Sequence, residues 1–254
     1  MARPEREPRR RNEEPRDNMV YGVQPVREAL RGRRRVHKIY CTERAAEHSF
    51  LVEAAAGGTT LEICSMDAVT AFAGRPDHQG LAALTDPYPY VDAFDLLSGP
   101  HPLVVVLDGV TDPRNLGAIV RACDGAGADG LVLPRHGSAG VTSIVAKASA
   151  GAVEHVRIAM TTNLAELLRR TKRPDLWSYA ADAEGGAAPW EIDMTSGTIF
   201  VLGSEGSGIR PLVQKLCDAA VTIPQAGRIA SLNVAVAAGT LLYEAARQRA
   251  VRTP

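Results

Sequence analysis

Cysteine is scarce in this chain, aromatic residues are few, and neither sign of charge is in excess. The four cysteines, Cys41, Cys64, Cys123 and Cys217, lie far apart and form no CxxC pair, which argues against both a zinc site and a disulfide framework. They read as reduced, buried thiols. His37, His48, His78 and His101 also lack metal-ligand spacing, so no metal is expected. No apolar run approaches the roughly 20 residues of a membrane span, and the first residues contain no apolar core of the kind a signal peptide needs. A cytoplasmic protein without membrane contact is expected. With 29 cations against 29 acids, the total says nothing about partners, and a nucleic-acid surface has to be sought in local runs.

What is present is enough apolar material for a proper core: 45% of 254 residues, which allows one large domain or two modest ones. Residues 1–18 are nearly all charged or proline and read as a disordered tail. From Tyr21 helical and extended patterns alternate: YGVQPVREAL, RVHKIYC, ERAAEHSFLVEAAA, TTLEIC, SMDAVTAFA and GLAAL, a small α/β domain over residues 19–84. Residues 85–102, rich in proline, acids and turn formers, read as a linker. A second domain, residues 103–254, opens on LVVVLD, a continuous apolar run suited to a parallel strand buried on both faces. Further strands are expected at GLVLP, HVRIA, LWSYA, TIFVLG and AAVTI, with a long final helix from about Ser231 to Arg249. The fold class is α/β with a mostly parallel sheet.

Two glycine motifs compete for attention. GAGADG, residues 125–130, matches GxGxxG, but a dinucleotide fingerprint follows a strand and opens a helix. Here the glycines follow a helical stretch and precede GLVLP, so they read as a helix C-cap and turn. VLGSEGSGIR, residues 201–210, does follow a strand and precede a helix, and it lacks the GK[ST] of a Walker A loop. Two more irregular loops follow strands, DGVTDPRNLG and IPQAGRIASLN, the latter with Ser231 as a plausible N-cap. All three are expected at the carboxyl edge of one sheet, converging on a single crevice.

DPRNLGAIVRACDGAG, VLGSEGSGIR and IPQAGRIASLNVAVAAGTLLYEAAR together resemble the three ordered motifs of the SPOUT-class RNA ribose 2′-O-methyltransferases, the SpoU or TrmH family. GVQPVREAL, HQGLAAL and SAGVTSIVAKASAGAVEHVRIA resemble its RlmB-type members, which methylate guanosine riboses of 23S rRNA. The resemblance spans roughly residues 19–249. It implies a catalytic domain with a deep trefoil knot, an exception to the unthreaded rule, an L30e-like RNA-binding domain before it, and a homodimer. It implies S-adenosylmethionine as cofactor, held by Leu202, Gly203, Ile223, Ser231 and Leu232, with Ile223 and Leu232 flanking the adenine. It implies 23S rRNA or a large-subunit precursor as partner, and Asn115, Arg121, Glu205, Ser231 and Asn233 as the catalytic set.

Elementary chemistry refines some of these roles. Arginine is a poor base because its guanidinium essentially never loses its proton, so Arg121 is read as a phosphate ligand that stabilises the developing alkoxide. Glu205 has a second reading, as a carboxylate favouring the N-terminus of the next helix. Asn233, expected to be buried among alanines, needs a definite partner for its amide. Ala235, Ala237, Ala238 and Gly239 permit close helix approach, within the molecule or between copies. REALRGRRRVHK, residues 27–38, carries six cations and one acid. Arg31, Arg33, Arg34, Arg35 and Lys38 are taken from it as RNA contacts, the alternative being a solvated face. Methylation of tRNA, or of an rRNA site conferring antibiotic resistance, stays open, as does a noncatalytic RNA-binding assembly protein.

Overall fold

The computed structural model describes residues 18–252 apart from Glu205 and Ala230, so the expected tail, save Asn18, lies outside the described residues. The chain begins with β1 (Met19–Tyr21), α1 (Val23–Arg31), β2 (Val36–Cys41), α2 (Glu43–Ala46), α3 (Ser49–Ala56), β3 (Thr60–Ile63), α4 (Met66–Ala73) and β4 (Leu81–Thr85). The four strands form one mixed sheet in the order β1-β4-β2-β3, with β2 and β3 parallel and the other neighbours antiparallel. Local chemistry sets the helix ends. Thr42 and Ser65 accept hydrogen bonds from the backbone N–H three residues on and so cap α2 and α4, and Gly74 ends α4 in the left-handed conformation at φ 68°. β1 is only three residues long, too short for alternation to reveal, yet all three are buried.

The expected linker is partly structured. It contains an apolar helix, α5 (Ala93–Leu97), whose Asp92 cap accepts from the Phe94 N–H at 2.7 Å. Leu96 and Leu97 are buried in a cluster with Leu164 and Leu167, and Val91 bridges to Ala159. Residues 91–97 therefore pack with the second sheet.

That sheet comprises β5 (Leu103–Asp108), β6 (Gly130–Pro134), β7 (Ile158–Thr161), β8 (Leu176–Ala181), β9 (Gly197–Gly203) and β10 (Ala219–Val221), in the order β10-β8-β9-β5-β6-β7, and every pairing is parallel. All six β5 residues are buried, which is why LVVVLD carries no alternation. The helices are α6 (Pro113–Ala126), α7 (Ser143–Ala148), α8 (Leu164–Arg170), α9 (Pro211–Leu216) and α10 (Val234–Arg252). Gly117 lets α6 and α7 approach: a Cβ there would stand 2.5 Å from that of Ala148. The GAGADG stretch closes α6, with Gly127 left-handed at φ 69° and its N–H on Asp124.

One apolar cluster runs through both halves, joining Val26, Ile39 and Leu51 to Val105, Leu116 and Val153. Polar contacts seal the junction. Arg34 donates Nε to Glu154 at 2.9 Å and its Nη2 meets the other carboxylate oxygen. Arg33 reaches the His155 carbonyl, Lys147 donates to Asp77 O at 3.0 Å and Gln79 Oε1 at 3.1 Å, and Tyr88 donates to Val156 O at 2.6 Å.

Candidate active site

The loops that leave β8, β9 and β10 at their carboxyl ends surround a cleft of about 780 Å³, within the size range of small-molecule and cofactor sites. Leu202, Gly203, Ile223, Ser231 and Leu232 all line it, together with Asn233, Asp182 and Gln214. Leu202 is itself buried, so what it offers the cleft is main chain. Ile223, Leu232 and Ile209 are half-buried apolar side chains of the wall, and the buried Val221 and Val234 also line it beside small and polar residues.

The β9 loop folds back on itself. Ser204 and Gly208 exchange backbone hydrogen bonds at 3.0 and 3.2 Å, and at Gly203 a Cβ would lie 2.0 Å from the Gly208 carbonyl carbon. Gly206 and Gly208 take φ of 90° and 66°, the region open to glycine. Steric necessity therefore accounts for all three glycines of the motif. Glu205 lies outside the described residues.

Asn233 is exposed rather than buried, because α10 begins one residue later and its apolar face starts at Val234. Its Oδ1 accepts from the Ala235 and Val236 N–H groups at 2.9 and 3.4 Å, so Asn233, and not Ser231, caps α10. With Oδ1 committed, Nδ2 faces Asn115 and donates to its Oδ1 at 3.0 Å. The structure thus joins the first and third motifs through a pair of amides whose orientation is fixed by the helix end. Asn115 sits in the first turn of α6, which Asp112 caps by accepting from Arg114 N at 2.8 Å.

Arg121 is not brought into the cleft. It lies on the exposed face of α6, on the side where α10 crosses: a Cβ at Gly239 would be 3.9 Å from that of Ala122, and one at Gly125 would meet the Tyr243 hydroxyl. Among the five basic residues taken as RNA contacts, Arg34 is a correction. It is buried and spent on Glu154, because the basic run turns inward where α1 meets the second domain. Arg31 and Arg35 are exposed, Arg33 is exposed with one nitrogen on a carbonyl, and Lys38 pairs with Glu62.

The loop after β8, Ala181–Ala183, is the wall that motif reading missed. Gln214 Nε2 donates to Asp182 Oδ2 at 2.5 Å, fixing a carboxylate at the rim. A signal existed, since ADAEGG places two acids and two glycines at the end of a strand, but its place beside β9 and β10 depends on strand order. Of the four thiols expected to be buried, Cys41 and Cys123 are, whereas Cys64 and Cys217 are half-buried at the edges of their sheets' packing; burial raises all four, Cys123 and Cys217 to about 12. His78 is fully buried, accepting from Gly80 N at Nδ1 and facing the Thr70 hydroxyl at 2.8 Å, and burial lowers its pKa.

A parallel sheet with a cleft at its carboxyl edge and a preceding mixed-sheet domain defines a two-part enzyme fold. Residues 102–243 match the SpoU rRNA Methylase family and residues 19–91 match the RNA 2′-O ribose methyltransferase substrate-binding family. The chain belongs to the SpoU rRNA methylase family. It is 39% identical over 206 residues to the 23S rRNA (guanosine-2′-O-)-methyltransferase RlmB of Ralstonia nicotianae, covering 80% of this chain and 82% of that one. An uncharacterized tRNA/rRNA methyltransferase of Synechocystis is 37% identical over 93% of this chain, which spans 64% of that relative's length. Among solved structures, the SpoU methyltransferase AviRb of Streptomyces viridochromogenes, crystallised with AdoMet, superposes with a TM-score of 0.79 at 26% identity, covering 91% of this chain and 90% of AviRb.

Proposed function

We propose that this chain transfers a methyl group from S-adenosylmethionine to a ribose 2′-hydroxyl of 23S rRNA, at a guanosine of the peptidyl-transferase region. The observation that carries this reading is the cleft itself: the five residues taken as cofactor contacts and the motif amide Asn233 line one cavity of about 780 Å³. Its residues fit such a cofactor, with the half-buried aliphatic side chains of Ile223 and Leu232 for a flat base, main chain of the β9 and β10 loops for the base edge, and the Asp182 carboxylate for a cationic or hydroxyl group.

S-adenosylmethionine supplies an electrophilic methyl on a sulfonium, and the attacking oxygen gives up its proton to solvent or to another acceptor. This chain's residues do the rest by placement. The Asn115–Asn233 pair holds the first and third loops at one spacing beside the cofactor. Arg121 binds the target phosphate and stabilises the charge developing on oxygen. Because Arg121 stands outside the cleft of its own chain, on the face where Val236 and Tyr243 are 53% and 56% exposed, it acts in a homodimer that brings this face of one copy against another. Arg31, Arg33, Arg35 and Lys38 supply RNA backbone contacts, each phosphate neutralised steepening the salt dependence by about 0.7 log units on single-stranded RNA. Glu205 completes the catalytic set, and the reading carries with it the trefoil knot, the L30e-like character of the first domain and a cytoplasmic site of action.

The test is methyl transfer from radiolabelled S-adenosylmethionine to rRNA and tRNA from cells lacking the gene, with the labelled nucleotide mapped. Label on one 23S guanosine ribose is expected. Label on tRNA alone overturns the substrate, and no label on either RNA or on subunit precursors overturns the activity. Arg121→Ala is expected to lose about 10²–10³ in turnover, and near-normal turnover sinks its role.

A further inference from the structure

We infer that Asp108 and Arg210 form a clamp that holds the cofactor-binding loop after β9 in its closed shape, and that this pair sets cofactor affinity. Arg210 closes the VLGSEGSGIR stretch and Asp108 opens DGVTDPRNLG, but neither is among the catalytic, cofactor or RNA residues assigned above. Asp108 ends β5 and is 2% exposed. It stands in register with Gly203, where the loop leaves β9, and it bonds to Arg210, where the loop ends: Oδ2 accepts from the Arg210 backbone N–H at 2.9 Å and Oδ1 from its Nε at 2.8 Å. One buried carboxylate therefore touches the entry of the loop through the sheet and its exit through two hydrogen bonds. The Ser204–Gly208 pair closes the loop between these points.

The choice of residues fits this task. Charge-assisted bonds from one guanidinium edge and one backbone N–H to both oxygens of a single carboxylate are directional, so they hold position as well as distance. Burial of the acceptor keeps water from competing, while the Arg210 side chain, 63% exposed, adds little to the core. Opening the loop would strand a buried carboxylate, a state that costs far more than an exposed unpaired one. The loop that carries Gly203 into the cleft is thereby ordered before a ligand arrives, and ligand binding is relieved of that ordering. Both are positioning residues: they reach the cofactor through the main chain they hold.

The inference rests on the cleft being the S-adenosylmethionine site, and the experiment separates the two. Cofactor affinity is measured by calorimetry on full-length wild type, Arg210→Ala, Arg210→Lys and Asp108→Asn, with RNA affinity measured without cofactor, turnover at saturating cofactor, and melting temperature. Arg210→Ala is the variant that spares the core. It is expected to weaken cofactor binding roughly ten- to a hundredfold, the loss usual for charge-assisted hydrogen bonds, with RNA affinity and saturated turnover changing less than about threefold. Arg210→Lys, which keeps the backbone N–H and a cation, is expected to recover part of the loss. Asp108→Asn should repeat the effect, its amide turning a donor toward a donor. Cofactor affinity of Arg210→Ala within twofold of wild type overturns the clamp, and so does a loss that falls on RNA affinity instead. A wild-type protein that binds no S-adenosylmethionine overturns the cleft assignment on which the clamp stands.

Discussion

At Gly203 the sequence has no alternative. Any Cβ would sit 2.0 Å from the Gly208 carbonyl carbon, a separation no side-chain rotation relieves, since the backbone fixes where a Cβ stands and the carbon it meets is main chain. Gly203→Ala is therefore expected to open the β9 loop and abolish measurable cofactor binding in calorimetry, while RNA binding through the first domain persists. Gly127 provides the contrast. It is left-handed, but nothing stands within 4 Å of its virtual Cβ, so Gly127→Ala costs about 1 kcal/mol through backbone strain alone and leaves the cleft intact. Two glycine motifs that look alike on paper thus differ in what surrounds them. Their difference was legible beforehand from the order of strand and helix around each, whereas the close contact at Gly203 was not, because Gly208 returns only once the loop is folded.

Among the elements, α10 does the most joining. Its Arg249 donates to Met194 O, His101 O and Ser196 O at 3.0, 2.9 and 2.7 Å, tying the last helix to the segments that precede β5 and β9. Burial lowers the Arg249 pKa, but an arginine so shifted stays charged at neutral pH. Arg249→Met is expected to cost about 2–3 kcal/mol, seen as a fall in Tm of roughly 4–10 °C. Two residues earlier, Arg247 hydrogen-bonds Glu244 through Nε and Nη2, with burial opposing and Gln248 adding a further bond, and the Glu244 pKa falls from 4.5 to about 2. A carboxylate lowered on folding stabilises fully above its unfolded value and loses that contribution as pH drops through the folded one. Between pH 4.5 and 2, wild type should lose stability more steeply than Glu244→Gln in urea titrations at matched ionic strength. The apolar runs of β5 and β9 and the existence of α10 could be read directly, since local composition dictates them. The start of α10 could not: Ser231 and Asn233 are both good caps, and only the meeting with Asn115 selects between them. α5 was hidden for a related reason, its few apolar residues being outnumbered by the turn formers on either side.

For the whole molecule the decisive contact is Arg34 with Glu154, 5% and 2% exposed, set in the seam where the two sheets' layers share one core. Removing one partner strands a buried charge. Arg34→Met is expected to lose about 3–5 kcal/mol in urea unfolding, while Arg34→Met combined with Glu154→Leu recovers most of it. From sequence the whole run is taken as RNA contacts because nothing local distinguishes Arg34 from Arg33 and Arg35; its partner is 120 residues away. The same distance hides the order β10-β8-β9-β5-β6-β7 and, with it, the Asp182 wall of the cleft.

The position of α10 also has a consequence for synthesis. The cleft needs Asn233, Val234 and Ala237 as well as the loops after β8 and β9, and α10 follows every strand of both sheets. A growing chain can assemble its first domain and most of the second sheet while still being translated, yet it has no complete cavity until this final helix has cleared the exit tunnel. The cleft is thus unable to take up any ligand while the ribosome making the chain still holds the residues that finish it.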